Sequence, residues 1–150
     1  MKRELLELRL AVGSDPRFLA LVREYADRFG AAALNYRQYN GLEGLELACL
    51  LLRGGRAVAC GAFQRLEEGT AELKRLYVRK DCRRRGYARQ LVEMLELQAL
   101  FAGYNRMALE TGRTMPEARS LYTGLGYRET EAWEAFAGDP AVVCMIKTLA

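Results

Sequence analysis

The strongest candidate for chemistry is a basic turn, Arg83–Ala88, which stands between a strand-like run and a helix-like run. A helix N-terminus presents unpaired N–H groups and the positive end of the helix dipole, so it binds phosphate readily. Gly86 and Ala88 keep side chains small where a ligand would approach the backbone, and the three arginines add positive charge. The turn lacks the Gly-Lys-Ser/Thr of a Walker loop and the third glycine of a dinucleotide-binding fingerprint. It predicts an anion site, with a solvated basic helix start as the alternative.

Positive charge is concentrated around that turn. Residues 74–89 contain eight basic residues and one acid, a net charge of +7, whereas the whole chain carries only +4. The rest of the chain is therefore net acidic, which favours one local anionic ligand over a generally basic protein. A nucleic-acid-binding module built on residues 74–89 is a competing hypothesis. Because aromatic residues are not interleaved with the basic ones on a strand surface, and the remaining chain is net acidic, we expect no nucleic-acid partner.

The histidine and cysteine content of the chain excludes several kinds of catalytic and metal site. The chain has no histidine, which removes the commonest general base and most zinc sites, and we expect no metal. The four cysteines do not form a Cys-x-x-Cys pair, so neither a zinc ribbon nor a redox motif is supported. We expect Cys49, Cys60 and Cys144 to be reduced thiols in the core.

The chain has the size and composition of one globular domain. It is 150 residues long, 51% hydrophobic and 28% charged, so we expect a single domain over 1–150, as a monomer or homodimer. The longest apolar run, Leu47–Leu52, is far shorter than the roughly 20 residues that span a bilayer, so we expect no membrane partner. Acids near the N-terminus do not fit a signal peptide, and we expect a cytoplasmic protein.

The hydrophobic pattern predicts an α/β fold, a mixed sheet with helices on its faces, in the order β-α-β-β-β-α-β-α-β-β. The first strand is expected over residues 6–10. A helix is expected from Ser14-Asp15-Pro16 to near Gly30, and residues 31–44 are ambiguous. Gly54-Gly55 joins two strand-like runs in a predicted hairpin, and Glu68-Gly69 turns into a third run.

The second half of the chain predicts a parallel βαβ crossover. A helix over residues 85–101 connects a strand at 71–78 to a strand at 106–111. Thr114–Glu117 has the spacing of a capping box, for a helix that ends near Leu125. Tyr127–Trp133 and Val142–Leu149 are the predicted closing strands.

Two motifs on these elements resemble the signatures of the GNAT (Gcn5-related) N-acetyltransferases. Ala71–Val78 followed by Arg83–Ala88 is similar to the family's acetyl-CoA signature, a strand ending in Val and then Arg/Gln-x-x-Gly-x-Gly/Ala. Ala118–Tyr127 resembles the family's Ala-x-x-Leu-Tyr-x-x-x-Gly-Phe/Tyr pattern. Many members carry asparagine where this chain has Met115, which lacks the amide that an asparagine would offer to the cofactor. The resemblance is specific over about residues 45–130.

The resemblance implies a GNAT-type fold and an acetyl-CoA-dependent N-acetyltransferase that transfers the acetyl group directly to a primary amine. The strands at 71–78 and 106–111 would splay apart at one end to admit acetyl-CoA. Its pantetheine arm would pair with the backbone at residues 76–78, and its pyrophosphate would lie on the amides of the basic turn. The implied cofactor-binding residues are Leu76, Tyr77, Val78, Arg83, Arg84, Arg85, Gly86, Tyr87 and Ala88.

The resemblance also implies roles for individual side chains. An alkyl amine with a pKa of about 10.4 must lose a proton before it attacks a thioester. Glu72 is the first choice of base, because the family's Ala-Glu-Leu/Ile pattern places a glutamate on this strand. Glu110 on the neighbouring strand is the alternative base, and exposed strand carboxylates are the competing interpretation of both. Tyr122 would protonate the departing thiolate, unless it is a core aromatic.

The acceptor side would be lined by aromatic residues from two loops. Tyr36 and Tyr39 from residues 31–44, Trp133 from residues 131–141 and the nearby Glu110 are the candidate substrate-binding residues. Aromatic rings suit an apolar or a cationic amine. We favour a small-molecule amine over a protein amine. A non-catalytic acyl-CoA sensor of the same fold is an alternative that the motifs leave open.

Overall fold

The structure, a computed structural model, describes residues 4–35, 44–133 and 138–149, with side chains omitted for 28–35. Tyr36 and Tyr39 lie outside the described residues. The described elements are β1 (Leu6–Ala11), α1 (Pro16–Asn35), β2 (Leu45–Arg53), β3 (Arg56–Glu67), β4 (Thr70–Val78), α2 (Tyr87–Phe101), β5 (Arg106–Gly112), α3 (Pro116–Gly124), β6 (Arg128–Thr130) and β7 (Val142–Thr148). The predicted order of strands and helices is confirmed.

The described strands form one mixed sheet in the order β1-β2-β3-β4-β5-β7-β6. The β4–β5 pair is parallel and joined through α2, which confirms the predicted crossover, and the other pairs are antiparallel. The hairpin between β2 and β3 turns at Gly54 and Gly55, with φ of +58° and +84°. A two-residue hairpin loop in a type I′ turn requires positive φ at both central residues, and glycine adopts this conformation without steric cost.

Helices pack on both faces of the sheet. On one face, α2 shares a core with the strands through Leu91 and Leu95. On the other, α1 packs Phe18 and Leu21 against the strands β2 and β3. Side chains alternate along a strand, so every second residue of β4 and β5 points toward the face that α1 covers. The candidate site lies on that face. The four cysteines are free and buried, as expected for Cys49, Cys60 and Cys144.

The first helix differs from the prediction at its C-terminal end. It continues through Gly30 to Asn35, because the residues after the glycine are alanine and leucine, which are good helix formers. Its start is as predicted: Asp15 Oδ1 accepts the Arg17 backbone N–H at 2.9 Å. None of the described helices is long and apolar enough to cross a membrane.

Two further boundaries were predicted wrongly. The capping box at Thr114 does not form: Met115 is the N-cap of α3 and makes no side-chain cap hydrogen bond, so Pro116 marks the start of the helix. The strand expected over Tyr127–Trp133 is only Arg128–Thr130. It begins late because the Tyr127 N–H returns to Tyr122 O at 3.0 Å and completes the end of α3.

Candidate functional site

A gap opens between the two parallel strands at the centre of the sheet. The pairing of β4 with β5 extends only from Thr70–Arg106 to Glu72–Ala108, although β4 continues to Val78. Beyond Glu72, β4 is no longer paired with β5 and its edge faces the gap. The expected splay of these strands is therefore confirmed.

A bulge in β4 helps to produce this gap. The register with β3 moves from Cys60–Tyr77 to Ala62–Lys74, so Arg75 and Leu76 together oppose Gly61. Arg75 has a φ of +57°, and a bulge of this kind bends its strand and increases the local twist. A Cβ at Gly61 would lie 2.9 Å from Leu95 Cδ1 of α2, so the helix packs directly on the bulged pair of strands. A glycine inside a strand was the available sequence signal for the bulge.

The basic turn lies beyond the C-terminal end of β4 and opens α2. Gly86 is the N-cap of α2 with a φ of +78°, and no side chain caps the helix. The helical hydrogen bond from the Gln90 N–H to Gly86 O leaves the three intervening N–H groups without a partner inside the helix. A Cβ on Gly86 would meet no atom within 4 Å, so the space in front of the turn is open. The turn can therefore accept an anionic group on its backbone.

The basic residues of segment 74–89 do not form one cationic surface. The expectation that all of their charge serves one anionic ligand is therefore wrong. Arg84 and Arg85 are exposed beside the start of α2. Arg83 Nε donates to Val78 O at 3.1 Å, and its guanidinium lies 5.9 Å from the Tyr77 ring centroid. Lys74, by contrast, is buried in the sheet. Only part of the segment can therefore meet phosphate groups.

The tyrosines of the predicted cofactor site can offer only their backbone, because both side chains are buried. Tyr87 belongs to the core beneath α2. Tyr77 donates from its hydroxyl to Glu24 Oε1 at 2.9 Å, and Arg79 Nε lies 3.3 Å from Glu24 Oε2. These contacts tie α1 to the end of β4 and so hold one wall of the gap in place.

A buried charged cluster lies on the α1 face of the sheet, beside the gap. Lys74 Nζ is 3.2 Å from Glu72 Oε2 and 3.5 Å from Glu110 Oε2. Gln64 Nε2 donates to Glu72 Oε1 at 3.0 Å. The side chains of Glu72 and Lys74 are only 4% exposed, and that of Glu110 is 15% exposed. Neither glutamate is the exposed strand carboxylate of the competing interpretation.

The environment of Glu110 makes its carboxyl group suitable for proton transfer. Burial raises the pKa of Glu110 to about 7, Lys74 opposes this rise, and the charge of Glu72 adds to it. A carboxyl group with a pKa near the working pH exchanges protons most effectively in catalysis. The cluster therefore contains a group that can accept a proton at neutral pH.

Tyr122 lies in the core at the far side of the same region. Its ring packs edge-on against Tyr127, with centroids 5.9 Å apart. Burial raises the pKa of the Tyr122 phenol above its usual value, and the negative charge of Glu110 raises it further. The phenol is therefore protonated at neutral pH and can donate a proton.

A second buried network fixes the segment that follows Tyr122. The Tyr127 hydroxyl donates to Glu96 Oε2 at 2.8 Å, and Lys147 Nζ donates to Glu96 Oε1 at 2.9 Å. These bonds join α2, the end of α3 and β7. The sequence motif indicated Tyr127 but gave no sign of this network, because Glu96 lies 31 residues from Tyr127 and 51 residues from Lys147 along the chain.

Trp133, a candidate substrate-binding residue, lies against the strand β7. It packs against Val142 and Cys144 of β7, and Cys144 is the register partner of Glu110. Two open hollows lie in this part of the molecule, and the larger, of about 400 Å³, is bounded by Thr70, Ala108 and Trp133, among others. The other, of about 300 Å³, is bounded in part by Val142, Cys144 and Arg113. The structure thus brings Trp133 to β7, the strand that pairs with the Glu110 strand β5.

The model of the acetyltransferase (GNAT) family matches residues 16–127 of this chain. The chain is 32% identical over 98 residues to the uncharacterized N-acetyltransferase YsnE of Bacillus subtilis (strain 168), over 64% of this chain and 65% of that protein. It is 33% identical over 98 residues to the IAA acetyltransferase of Azospirillum brasilense, over 65% of this chain and 64% of that protein. The match spans slightly less than two thirds of either relative's length.

Solved structures share the fold over nearly the whole chain. The putative acyl-CoA N-acyltransferase from Klebsiella pneumoniae subsp. pneumoniae MGH 78578 has a TM-score of 0.80 and 29% identity, covering 97% of this chain and 99% of that one. YncA from Salmonella typhimurium, a putative acetyltransferase solved with acetyl-CoA, has a TM-score of 0.72 and 16% identity, covering 97% and 94%.

Proposed function

The chain belongs to the GNAT acetyltransferase family, and from that premise we propose that it is an N-acetyltransferase that transfers acetyl from acetyl-CoA to a primary amine. The observation that carries the proposal is the gap between β4 and β5. Open backbone N–H groups lie near one end of it, and a buried carboxyl pair lies beside it. Such a gap offers both an anion site for the cofactor and acid–base groups for the reaction.

The residues around the gap fit acetyl-CoA. When bound, acetyl-CoA supplies a thioester carbonyl that an amine can attack. The β4 edge at Leu76, Tyr77 and Val78 lies beyond the last β4–β5 pair, so it is not paired with β5 and can face the amides of the pantetheine arm, although Val78 O already accepts from Arg83 Nε. The N–H groups from Arg84 to Ala88 would hold the pyrophosphate, with the exposed arginines adding charge. Gly86 leaves the necessary space.

The carboxyl pair would take the proton that an ammonium acceptor must lose. Glu72 was the first choice from the sequence, and the pKa of about 7 now favours Glu110 for this step. Since only the ionised form accepts a proton, the rate with a saturating acceptor should fall as the pH drops through about 7. A backbone N–H near Tyr77 or Val78 would stabilise the oxyanion.

Tyr122 would protonate the departing sulfur. Its phenol stays protonated at neutral pH because burial and Glu110 both raise its pKa. The candidate base and the candidate acid are thus electrostatically coupled within one site.

We favour a small amine as the acceptor. The two hollows of about 300 and 400 Å³ are comparable to small-ligand sites, which begin at roughly 300 Å³. The larger hollow adjoins β5 through Ala108 and β7 through Ile146, and the smaller adjoins β7 through Val142 and Cys144. Thr70 and Ala108, which bound the larger hollow, lie two residues before Glu72 and Glu110 on the same strands, so an amine held there would lie near the carboxyl pair.

A panel of acceptors tests the proposal. The protein is mixed with acetyl-CoA and either small primary amines or lysine-containing peptides, and thiol release is measured together with the mass of the product. We expect thiol release that requires both protein and amine, with one acetylated amine formed for each thiol. Binding of acetyl-CoA without turnover on any amine or peptide would support the sensor alternative instead. Absence of acetyl-CoA binding would contradict both.

A further inference from the structure

Lys74 is a buried cation to which neither motif assigns a role. It lies on β4 two residues after Glu72, so both side chains point to the same face of the sheet. Its ammonium group lies between Glu72 and Glu110, within 3.5 Å of each. A buried lysine is costly unless it is paired, so this placement calls for a physical explanation.

The two carboxyl groups are not held equally. Glu72 has Lys74 at 3.2 Å on Oε2 and the amide of Gln64 at 3.0 Å on Oε1. Glu110 has Lys74 at the longer distance of 3.5 Å. Oε2 of both carboxyl groups has no hydrogen-bond partner among the described residues, so the two groups differ in the Gln64 hydrogen bond and in the distance to Lys74. The Gln64 amide and the closer ammonium group therefore compensate negative charge better on Glu72 than on Glu110. One cation between two carboxylates leaves one negative charge uncompensated, and the less well held group is the one that takes up a proton.

We propose, on the basis of the function proposed above, that Lys74 is a positioning residue that compensates the charge of Glu72 and leaves Glu110 to take the proton from the acceptor amine. Glu110 is then the catalytic base, and Glu72 and Lys74 set its state. This assignment reverses the order of preference given by the sequence motif. It also explains why β4 buries a charged pair beside the gap.

The proton balance of the reaction agrees with this division of roles. The acceptor ammonium gives one proton to the Glu110 carboxylate, which later releases it to water. The nitrogen lone pair then forms the C–N bond while the C–S bond breaks and its electrons leave on sulfur. Tyr122 protonates the sulfur and recovers a proton from the acetylated nitrogen. Each group ends in the protonation state in which it began.

The other groups around Glu110 do not remove the need for Lys74. Cys144 on β7 and Tyr122 on α3 both have a pKa raised by burial, so both are neutral at pH 7. Arg75 on β4 interacts with Glu110 and with Tyr25 of α1, and burial lowers its pKa. Arg75 is a second nearby cation, but no ion pair joins it to either carboxyl group among the described residues.

The pH dependence of kcat/KM tests the proposal when it is compared across four variants. Lys74→Met should move the acidic limb of the profile upward by about 1–3 pH units, the usual effect of an opposite charge on a carboxyl group. Lys74→Arg should restore most of the shift. Glu110→Gln should abolish the limb, whereas Glu72→Gln should keep a limb. Arg128→Met, which removes an exposed cation on β6, is the control and should leave the profile unchanged.

A direct titration separates this proposal from the proposed function. Glutamate carboxyl groups labelled with ¹³C are followed by NMR in the full chain, and the Glu110 signal is assigned by its loss in Glu110→Gln. We expect a midpoint near 7 for the wild type, and a higher one in Lys74→Met. These results stand even if no acceptor is found. An unchanged midpoint in folded Lys74→Met, or an acidic limb lost in Glu72→Gln but kept in Glu110→Gln, would overturn the proposal. If Lys74→Met does not fold, the wild-type midpoint and the two glutamine variants decide.

Discussion

Replacing Gly86 by glutamate tests the anion site at the start of α2. Gly86 has a φ of +78°, so any L-residue there is strained by about 1–2 kcal/mol. The new Cβ would meet no atom within 4 Å, so the side chain causes no steric clash with the protein. It would instead place a carboxylate in front of the N–H groups that are proposed to hold the pyrophosphate. The variant should therefore fold and lose acetyl-CoA binding.

The size of the effect follows from mass action. At one hundred times its dissociation constant, a ligand that binds only the folded state stabilises it by about 2.7 kcal/mol. For a domain of this size about 1 kcal/mol changes the melting temperature by roughly 2–4 °C. Acetyl-CoA should therefore raise the melting temperature of the wild type by roughly 5–10 °C. For Gly86→Glu we expect a melting temperature a few degrees lower without ligand, and no rise on adding acetyl-CoA.

Gly103 provides a matched control at the opposite end of α2. It has a φ of +99°, and a Cβ there would also meet no atom within 4 Å. Gly103→Glu should lose similar stability through strain and keep the full acetyl-CoA shift, because no ligand is proposed there. Differential scanning fluorimetry of the three proteins, with and without acetyl-CoA, gives the comparison. If both variants keep the same ligand shift as the wild type, the phosphate site does not lie at residues 84–88.

Three further substitutions test other parts of the site. Tyr122→Phe should leave acetyl-CoA affinity unchanged and lower kcat by a factor of roughly 10² to 10⁴. We expect a value near the lower limit, because a thiolate is a good leaving group. Normal turnover in a stable variant would show that the phenol serves only in packing. Gly61→Val should lower the free energy of unfolding in urea by about 1–3 kcal/mol, since its Cβ meets Leu95 at 2.9 Å, and an unchanged midpoint would contradict that close approach. Tyr127→Phe should cost about 1–3 kcal/mol of stability by leaving Glu96 Oε2 without its hydroxyl donor, and a loss below about 0.5 kcal/mol would show that Glu96 finds another partner.

Local sequence signals were sufficient for most of the fold. The Gly54-Gly55 turn, the Asp15 cap and the alternating runs fix where elements begin and which neighbours pair, because these features act within a few residues. A helix of this length between two strands is typical of a right-handed crossover, which joins two parallel strands. Boundaries failed where a local signal competed with another, as at Thr114, where Met115 became the cap, and at Gly30, where the alanines that follow continue the helix.

The site was less accessible from the sequence, because its side chains meet across strands. The motif indicated Glu72, but not that its carboxyl group is buried beside Lys74, a neighbour on its own strand. The contact with Glu110 depends on how β4 and β5 are placed across the gap, which no short pattern specifies. The bulge at Arg75 has the same origin, since it appears only when β4 is paired with β3.

Amide hydrogen exchange with and without acetyl-CoA most directly tests whether the gap between β4 and β5 holds the cofactor. We expect slower exchange at amides within Leu76–Val78 and within Arg84–Ala88, and no change in β1, which lies at the far edge of the sheet. The same experiment on Gly86→Glu should show no protection at either segment. Protection confined to other parts of the chain, with the β4 edge and the basic turn unchanged, would contradict the proposed cofactor site.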